Sequence, residues 1–394
     1  MANTYISRTF GTPTNANIWT YSVWIKRSQL GADQCFLAAG TGATDRTEIS
    51  FSGSDYIAVY RNIGGSTAGV ETSELYRDTS GWYNLVFKND NGTMTIYVNG
   101  ETVTQNTSSL GTNRINQASV VHQIGEIVAT GNPFNGSMSY VAFVDGQALT
   151  PSTFGETDSV TGQWKIKTSI VPGGTGFGNN GFLILKNGNT ITDQSSNSNN
   201  WALSSGTLTD TKDCPDNVFA TMNPLANFAG QWALFENQNT YVRSAGSGEA
   251  FIASTLGIPA TSGKFYTEVK YTAGGSYSVI GISGRMSPTA SGDYAGNKAD
   301  SYVYRQNGQK KSNDVDSSYG NSYATGDIIG IAVDATNSKL YFSKNGVFQN
   351  SGDPTSGATG TGAISISATP TEGFYYMACS KESGSTKNFY AWNF

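Results

Sequence analysis

The chain spells one β-hairpin twice, once in each half, and that repetition limits its fold more than any other feature. In the first half Trp82-Tyr83-Asn84-Leu85-Val86-Phe87-Lys88 alternates, with Tyr83, Leu85 and Phe87 on one face. A turn follows at Asn89-Asp90-Asn91-Gly92, and the return strand aligns Met94, Ile96 and Val98 before Asn99-Gly100. In the second half Ile329, Ile331 and Val333 share a face, and the return strand carries Leu340 and Phe342 before Asn345-Gly346. The closing Asn stands twelve residues after the last core residue in both copies (Phe87 to Asn99, Val333 to Asn345). Alternation of period two makes half-buried antiparallel strands, and Asn-Gly supplies the positive φ angles of a tight hairpin turn. Two such hairpins predict two sandwiches, and sandwiches carry function on the loops they display.

Composition agrees. Only 13% of the 394 residues are charged, against about 25% in ordinary soluble domains; polarity comes from Ser, Thr, Asn and 47 glycines. Disordered chains of similar polarity lack aromatics, whereas this one has 21 Tyr, 19 Phe and 7 Trp. The chain is therefore folded and β-rich. A net charge of −5 leaves no basic footprint for nucleic acid. The two adjacent basic pairs, Lys26-Arg27 and Lys310-Lys311, read as solvated strand or turn positions. Cys35, Cys214 and Cys379 are odd in number and far apart, which fits neither a disulfide framework nor a zinc site. The N-terminus, Met1-Ala2-Asn3-Thr4-Tyr5, has no basic or apolar leader, and no apolar run is long enough to insert in a membrane. Folding in a reducing cytoplasm is expected.

Strand patterns recur from Tyr21-Ser22-Val23-Trp24-Ile25-Lys26 through Cys35-Phe36-Leu37-Ala38, Tyr56 to Tyr60, Val120 to Val128, and Phe134 to Phe143. Trp19, Trp24 and Trp82 read as core. Residues 1–165 form a first sandwich. Residues 166–214, rich in Gly, Asn and Ser, form a connector packed on a sandwich, because Leu183 and Trp201 need burial. Residues 215–394 form a second sandwich, carrying Lys264 to Lys270, Ser278 to Ile282, Tyr302-Val303-Tyr304, Gly373 to Ala378 and Asn388 to Trp392. The expected fold is all-β: two antiparallel β-sandwiches of jelly-roll type joined by a packed connector.

At these residues the chain resembles known families. Trp82 to Gly100, then Ile124-Gly125, Phe134-Asn135-Gly136 and Gln147-Ala148-Leu149-Thr150 resemble the laminin-G-like, concanavalin-A-like lectins. Ser262 to Val269, Tyr302-Val303-Tyr304, Gly326 to Gly330 and above all Leu340-Tyr341-Phe342-Ser343-Lys344-Asn345-Gly346 resemble a SPRY domain. Asn197 to Trp201, and Asp213-Cys214-Pro215 with Phe219 to Leu225, look like a connector common in structural proteins of marine tailed phages. The combination implies a virion surface protein. By this analogy its partners are other virion proteins and a host-surface glycan or protein, and it is expected to form homo-oligomers, since virion appendages are symmetric.

Glucanases of this fold place catalytic carboxylates at alternate positions of one strand. No Glu-x-Asp-x-x-Glu occurs here; the nearest clusters are Asp45 with Glu48, Glu71 with Glu74, and Asp314 with Asp316, read as solvated loop positions outside core strands. His122 is the single histidine, and its setting, Val120-Val121-His122-Gln123-Ile124, is that of a strand residue facing a polar partner. No nucleophile elbow or Walker loop occurs. Asp314-x-Asp316-x-Ser318 opens like a calcium loop, but Tyr319 and Thr325 stand where EF-hands need Gly and Glu. No cofactor is expected; the lectin resemblance admits calcium on loop carboxylates, with Asp45 or Asp55 as its candidates. Tyr294, Tyr319 and Tyr323 sit among Gly, Ser and Asn, the composition of adaptable binding loops; packing over a sandwich edge is the competing account. Asp45 and Arg46 join them as candidate ligand contacts. The function expected is non-catalytic binding by a fibre, knob or decoration subunit at the virion surface. A purely structural decoration protein and a polysaccharide depolymerase are the alternatives.

Overall fold

The computed structural model describes residues 3–159, 162–226, 232–237, 239–245, 248–275, 277–287, 289–290, 292–384 and 386–394. Of the N-terminal segment considered above, Met1 and Ala2 lie outside the described residues. The chain divides into two compact units, Met1–Val218 and Phe219–Phe394. Both are antiparallel β-sandwiches.

The first unit runs β1 (Tyr5–Thr9), β2 (Ile18–Arg27), β3 (Gln34–Gly42), β4 (Asp45–Phe51), β5 (Ile57–Ile63), β6 (Ser66–Glu71), β7 (Tyr83–Asp90) and β8 (Thr93–Val98). It continues through β9 (Glu101–Thr102), β10 (Val121–Ile124), β11 (Gly136–Asp145), β12 (Gly155–Thr157), β13 (Trp164–Ile166), β14 (Phe182–Ile184) and β15 (Ala202–Ser205). One sheet has the order β15-β1-β10-β3-β4-β5-β6 and the other β14-β11-β2-β7-β8-β9. Their facing sides share one core, built from Ile6, Phe36, Ile49, Phe51 and Val59 on one sheet and Trp19, Tyr21, Leu85, Phe87 and Phe143 on the other. The segment at 166–214 supplies β14 and β15, which extend one sheet each. Trp201 packs edge-on against Phe182 at 5.0 Å inside that core. The polar loop before it winds around Asp193, whose carboxylate accepts the backbone N–H groups of Leu183, Ser195 and Asn199.

The second unit runs β16 (Trp232–Glu236), β17 (Tyr241–Ser244), β18 (Ala250–Pro259), β19 (Lys264–Ala273), β20 (Ser278–Ser283), β21 (Ser301–Arg305) and β22 (Gln309–Ser312). It ends with β23 (Val315–Ser318), β24 (Ile328–Asp334), β25 (Lys339–Lys344), β26 (Val347–Phe348), β27 (Ile364–Ser365), β28 (Phe374–Lys381) and β29 (Phe389–Asn393). An eight-stranded sheet of order β16-β17-β29-β19-β24-β25-β26, with β27 on β25, faces a six-stranded sheet of order β18-β28-β20-β21-β22-β23.

The repeated hairpins are β7-β8 and β24-β25, and a further strand follows each Asn-Gly turn. Asn99 and Gly100 have φ of 48° and 86°, and Asn345 and Gly346 have 50° and 81°. Each Asn does more than turn the chain. Asn99 Oδ1 accepts the Asn84 N–H at 2.8 Å while its own N–H donates to the Asn84 carbonyl at 2.8 Å. Asn345 treats Ile328 in the same way, at 2.8 and 2.7 Å. Matching these clamps aligns Phe87 with Ile331, so the equal twelve-residue spacing joins positions that are not equivalent. The reason is the turn: the first hairpin turns on Asn91-Gly92, the second on residues 335–338. Gly100 is constrained twice, since a Cβ there would meet the Trp164 ring at 2.5 Å.

The solvated reading of the basic pairs is overturned. Lys26 and Arg27 are fully buried, and Lys311 nearly so. Lys26 Nζ lies 2.6 Å from Asp213. Arg27 lies 2.9 Å from Asp55, with its guanidinium 3.8 Å over the Phe51 ring. A buried cation needs a partner, and these partners come from distant chain positions. His122 is also fully buried, stacked on Phe10 at 3.6 Å. Its Nε2 accepts the Asn116 N–H at 3.0 Å, which leaves the proton on Nδ1 to donate to the Val120 carbonyl at 3.0 Å. Burial pushes its pKa down to about 3.

Two predictions follow from these contacts. Asn99→Gly keeps the turn backbone but leaves the Asn84 amide unpaired, and should cost about 1–2 kcal/mol in urea unfolding; Asn345→Gly, at a more exposed clamp, should cost less. For His122, protonation is favoured in the unfolded chain and opposed in the fold. Stability should therefore fall on acidification from about pH 6.5, by roughly 1.4 kcal/mol per pH unit. His122→Gln should remove that slope between pH 6.5 and 5, above the main carboxylate range.

Candidate functional site

A sandwich has two outward faces, and in the first unit they differ. The face of the β2 sheet is covered: Trp24, Val86, Tyr97, Ala142 and Leu183 lie beneath Phe154, Ile166, Ile170 and Phe177. On the β4 sheet the outward apolar cluster is confined to Cys35 and Ala38 beneath Ile127 and Val128. Beyond it, β4, β5 and β6 turn polar side chains outward, because Ile49, Phe51, Ile57, Val59 and Val70 occupy the alternate, inward positions.

Strand register arranges this face in rows. One row reads Ser7, Gln123, Ala38, Glu48, Tyr60, Gly69 across β1, β10, β3, β4, β5 and β6. The next reads Thr9, Val121, Gly40, Arg46, Asn62, Thr67. Gln123 to Tyr60 spans three strand gaps, on the order of 15 Å, the length of a di- or trisaccharide. Arg46 Nε donates to Glu48 Oε2 at 2.6 Å, its second nitrogen bonds the Ala43 carbonyl, and its guanidinium stands 5.9 Å from the Tyr60 ring. Burial raises the Glu48 carboxyl above its ordinary pKa, against the pull of Arg46. Burial likewise raises the Cys35 thiol, so it stays protonated and unreactive. Asn62 Oδ1 and Gln123 Oε1 are buried acceptors without a hydrogen-bond partner. A half-exposed aromatic ring beside an Arg–Glu pair and two half-exposed amide side chains on one sheet face form a surface suited to a hydroxyl-rich ligand.

Of the residues expected to bind, Arg46 lies on this face. Asp45, its neighbour, points the other way, engaged by the Thr41 hydroxyl at 2.6 Å and by Arg114; these contacts hold its carboxyl below the usual range. In the second unit Tyr294 is half-buried, donating to Asp314 and accepting from Lys311 at 3.1 Å. It borders an ion cluster in which Arg305 pairs with Asp316 and Glu382, and Lys311 with Asp314 and Glu382. The expectation for Tyr319 and Tyr323 is corrected. They are 6% and 2% exposed inside the core, their rings packed on Tyr304 at 5.8 and 5.6 Å. Burial pushes Tyr319 up to about 12. Their Gly, Ser and Asn neighbours signalled loop correctly but not a loop folded over the core.

The carboxylate pair Asp45 and Glu48 is also corrected: both lie in a core strand, β4, not a solvated loop. They sit three residues apart and so on opposite faces, an arrangement that cannot flank one glycosidic bond. Calcium does not fit the residues named for it. The Asp45 carboxylate faces Arg114 at 2.5 Å, and that of Asp55 faces Arg27 and Arg77 at 2.9 Å each. Sequence reasoning missed Glu48, Tyr60, Asn62 and Gln123 as one surface. Alternation from Tyr56 to Tyr60 already put Tyr60 opposite Ile57 and Val59, but β4 was unread, and without it the rows cannot be assembled.

Comparison with known proteins agrees with this division. Residues 2–153 match the concanavalin A-like lectin/glucanases superfamily and residues 264–374 match the SPRY domain. The chain thus pairs an N-terminal laminin-G-like, concanavalin-A-like domain with a C-terminal SPRY domain. No curated protein matches significantly. Among solved structures, the SPRY domain of human HERC1 is 17% identical, with TM-score 0.33, covering 43% of this chain and 96% of that one. A protein from Bacteroides ovatus described as carbohydrate-binding is 18% identical, with TM-score 0.38, covering 54% and 60%. A SAP-like pentraxin from Limulus polyphemus is 16% identical, with TM-score 0.30, covering 38% and 72%. These resemblances concern fold alone.

Arg46→Ala should leave Glu48 as a largely buried, uncompensated carboxylate and destabilise the protein by about 1–3 kcal/mol at pH 7. Because the Glu48 pKa is already raised, that penalty should shrink as pH falls toward 5 and the carboxyl protonates. Urea unfolding at the two pH values checks it.

Proposed function

We propose that the protein is a non-catalytic surface protein of a phage virion, a fibre, knob or decoration subunit that binds host-surface glycan. The reading rests on one observation above all: Tyr60 and Asn62 stay half-exposed beside the Arg46–Glu48 pair on the β4–β6 face, while the opposite outer face of the same sandwich is sealed by its own chain. A face that keeps Tyr60, Asn62 and Gln123 half-exposed around a largely buried Arg46–Glu48 pair is best explained by an external partner rich in hydroxyl groups. The concanavalin-A-like match supports a sugar, and the SPRY match supports a second binding module. The virion setting is supported by the sequence resemblance of the connector and by three cysteines that form no disulfide. Assembly into a symmetric homo-oligomer, which would multiply weak glycan contacts, belongs to the same proposal.

The test uses purified full-length chain and polysaccharide from the host envelope. Tyr60→Ala and Gln123→Ala should each weaken binding roughly five- to tenfold, about 1–1.4 kcal/mol, with unchanged thermal unfolding. Antibody labelling of particles should place the protein on the virion exterior. Binding indifferent to both substitutions would remove the first-unit site, shortened polysaccharide would make the protein a depolymerase, and absence from particles would end the virion reading.

A further inference from the structure

The eight-stranded sheet of the second unit also carries an open outer surface, and a tyrosine lies across it. Along β19, Thr267 and Val269 are buried and Phe265 packs against the core, so Lys264, Tyr266, Glu268 and Lys270 face outward. Tyr266 is 51% exposed in mid-strand, although a strand needs no exposed aromatic there. Its hydroxyl donates to Glu268 Oε1 at 2.9 Å. A Cβ built on Gly330 would stand 2.5 Å from that hydroxyl and 3.0 Å from Tyr266 Cε2. Gly330 is the cross-strand partner of Glu268 on one side and of Ser343 on the other, so the ring leans along the sheet with its hydroxyl end over the glycine of β24, beside the Ser343 hydroxyl. One ring face is backed by the sheet and the other is turned to solvent.

The surroundings decide what such a ring can hold. Lys264 lies 3.6 Å from Asp334, and Glu268 and Lys270 are of opposite sign on the same strand, so the patch presents little net field to select a charged ligand. Asn393 is paired with Glu268 in register and exposed. The group that fits is one with an apolar face of C–H bonds and a rim of hydroxyls: the electron-rich ring face attracts the former, and carboxylate, ammonium and amide groups serve the latter. We propose that this surface is a second glycan site, taking a neutral hexopyranose stacked on Tyr266, with its hydroxyls on Glu268, Lys270 and Asn393. The site is separate from the first-unit face and does not require it.

The experiment is isothermal titration of the full chain, in a Tyr60→Ala, Gln123→Ala background in which the first-unit contribution is weakened. The probes are neutral gluco-, manno- and galacto-configured hexasaccharides. At least one should bind. Tyr266→Ala should weaken that binding at least tenfold, and Tyr266→Trp should retain or strengthen it. Gly330→Val, which leaves the tyrosine but displaces its ring, should weaken it comparably while thermal unfolding confirms that the variant is folded. Absence of binding by all three probes, or binding unchanged by Tyr266→Ala and Gly330→Val, overturns the proposal. So does a Tyr266→Ala effect confined to oligomeric state in light scattering, which would mark the surface as a protein interface. Loss of all binding on Tyr60→Ala alone would overturn it too while leaving the first-unit reading intact.

Discussion

Register is the constraint on which this structure depends. In a half-buried strand a one-residue slip exchanges the core and solvent faces entirely. Both sandwiches meet that demand with the same device, an Asn in the left-handed region whose side chain and backbone together grip a residue one strand away. In the first unit the grip holds β7 against β8 and sets Leu85 and Phe87 inward. In the second it fixes β24, and with it the place of Gly330 beneath Tyr266. The inward and outward assignments used for both proposed surfaces are consequences of register held in this way.

Given fixed faces, each outer face must be covered by more chain or made polar. In the first unit the chain after β11 crosses the β2 sheet with Phe154, Ile166 and Phe177. In the second, Ala295 and Met286 cover Val279 and Val303 on the six-stranded sheet. One face per unit is left with a mid-strand tyrosine among polar neighbours, Tyr60 in one and Tyr266 in the other. That shared plan connects two domains whose family matches differ, and it is the ground on which both proposals put binding on sheet faces.

Much of the fold was legible in the sequence because hairpins are local: alternation and Asn-Gly are read within twenty residues. What was hidden depended on distance. Lys26 and Arg27 look like solvated cations until Asp213 and Asp55, 187 and 28 residues away, are brought against them. Tyr319 and Tyr323 sit in a stretch with the composition of a binding loop, and only the fold shows that it closes over Tyr304 and Phe342. Among the candidate contacts, Arg46 could be named from sequence, whereas its row partners required β4, whose Asp45-Arg46-Thr47-Glu48 start resembles a polar turn. Tyr266 was visible as an alternate residue of a strand; its flat pose was not, because it depends on a glycine 64 residues later.

The most direct test of the account is a crystal structure of the full chain soaked with an oligosaccharide from the host envelope. The account predicts intact sugar on an open sheet face, a ring against Tyr60 beside Arg46 and Glu48 or against Tyr266 above Gly330. Sugar held only by loops at the sandwich ends, or cleaved in the crystal, would contradict it.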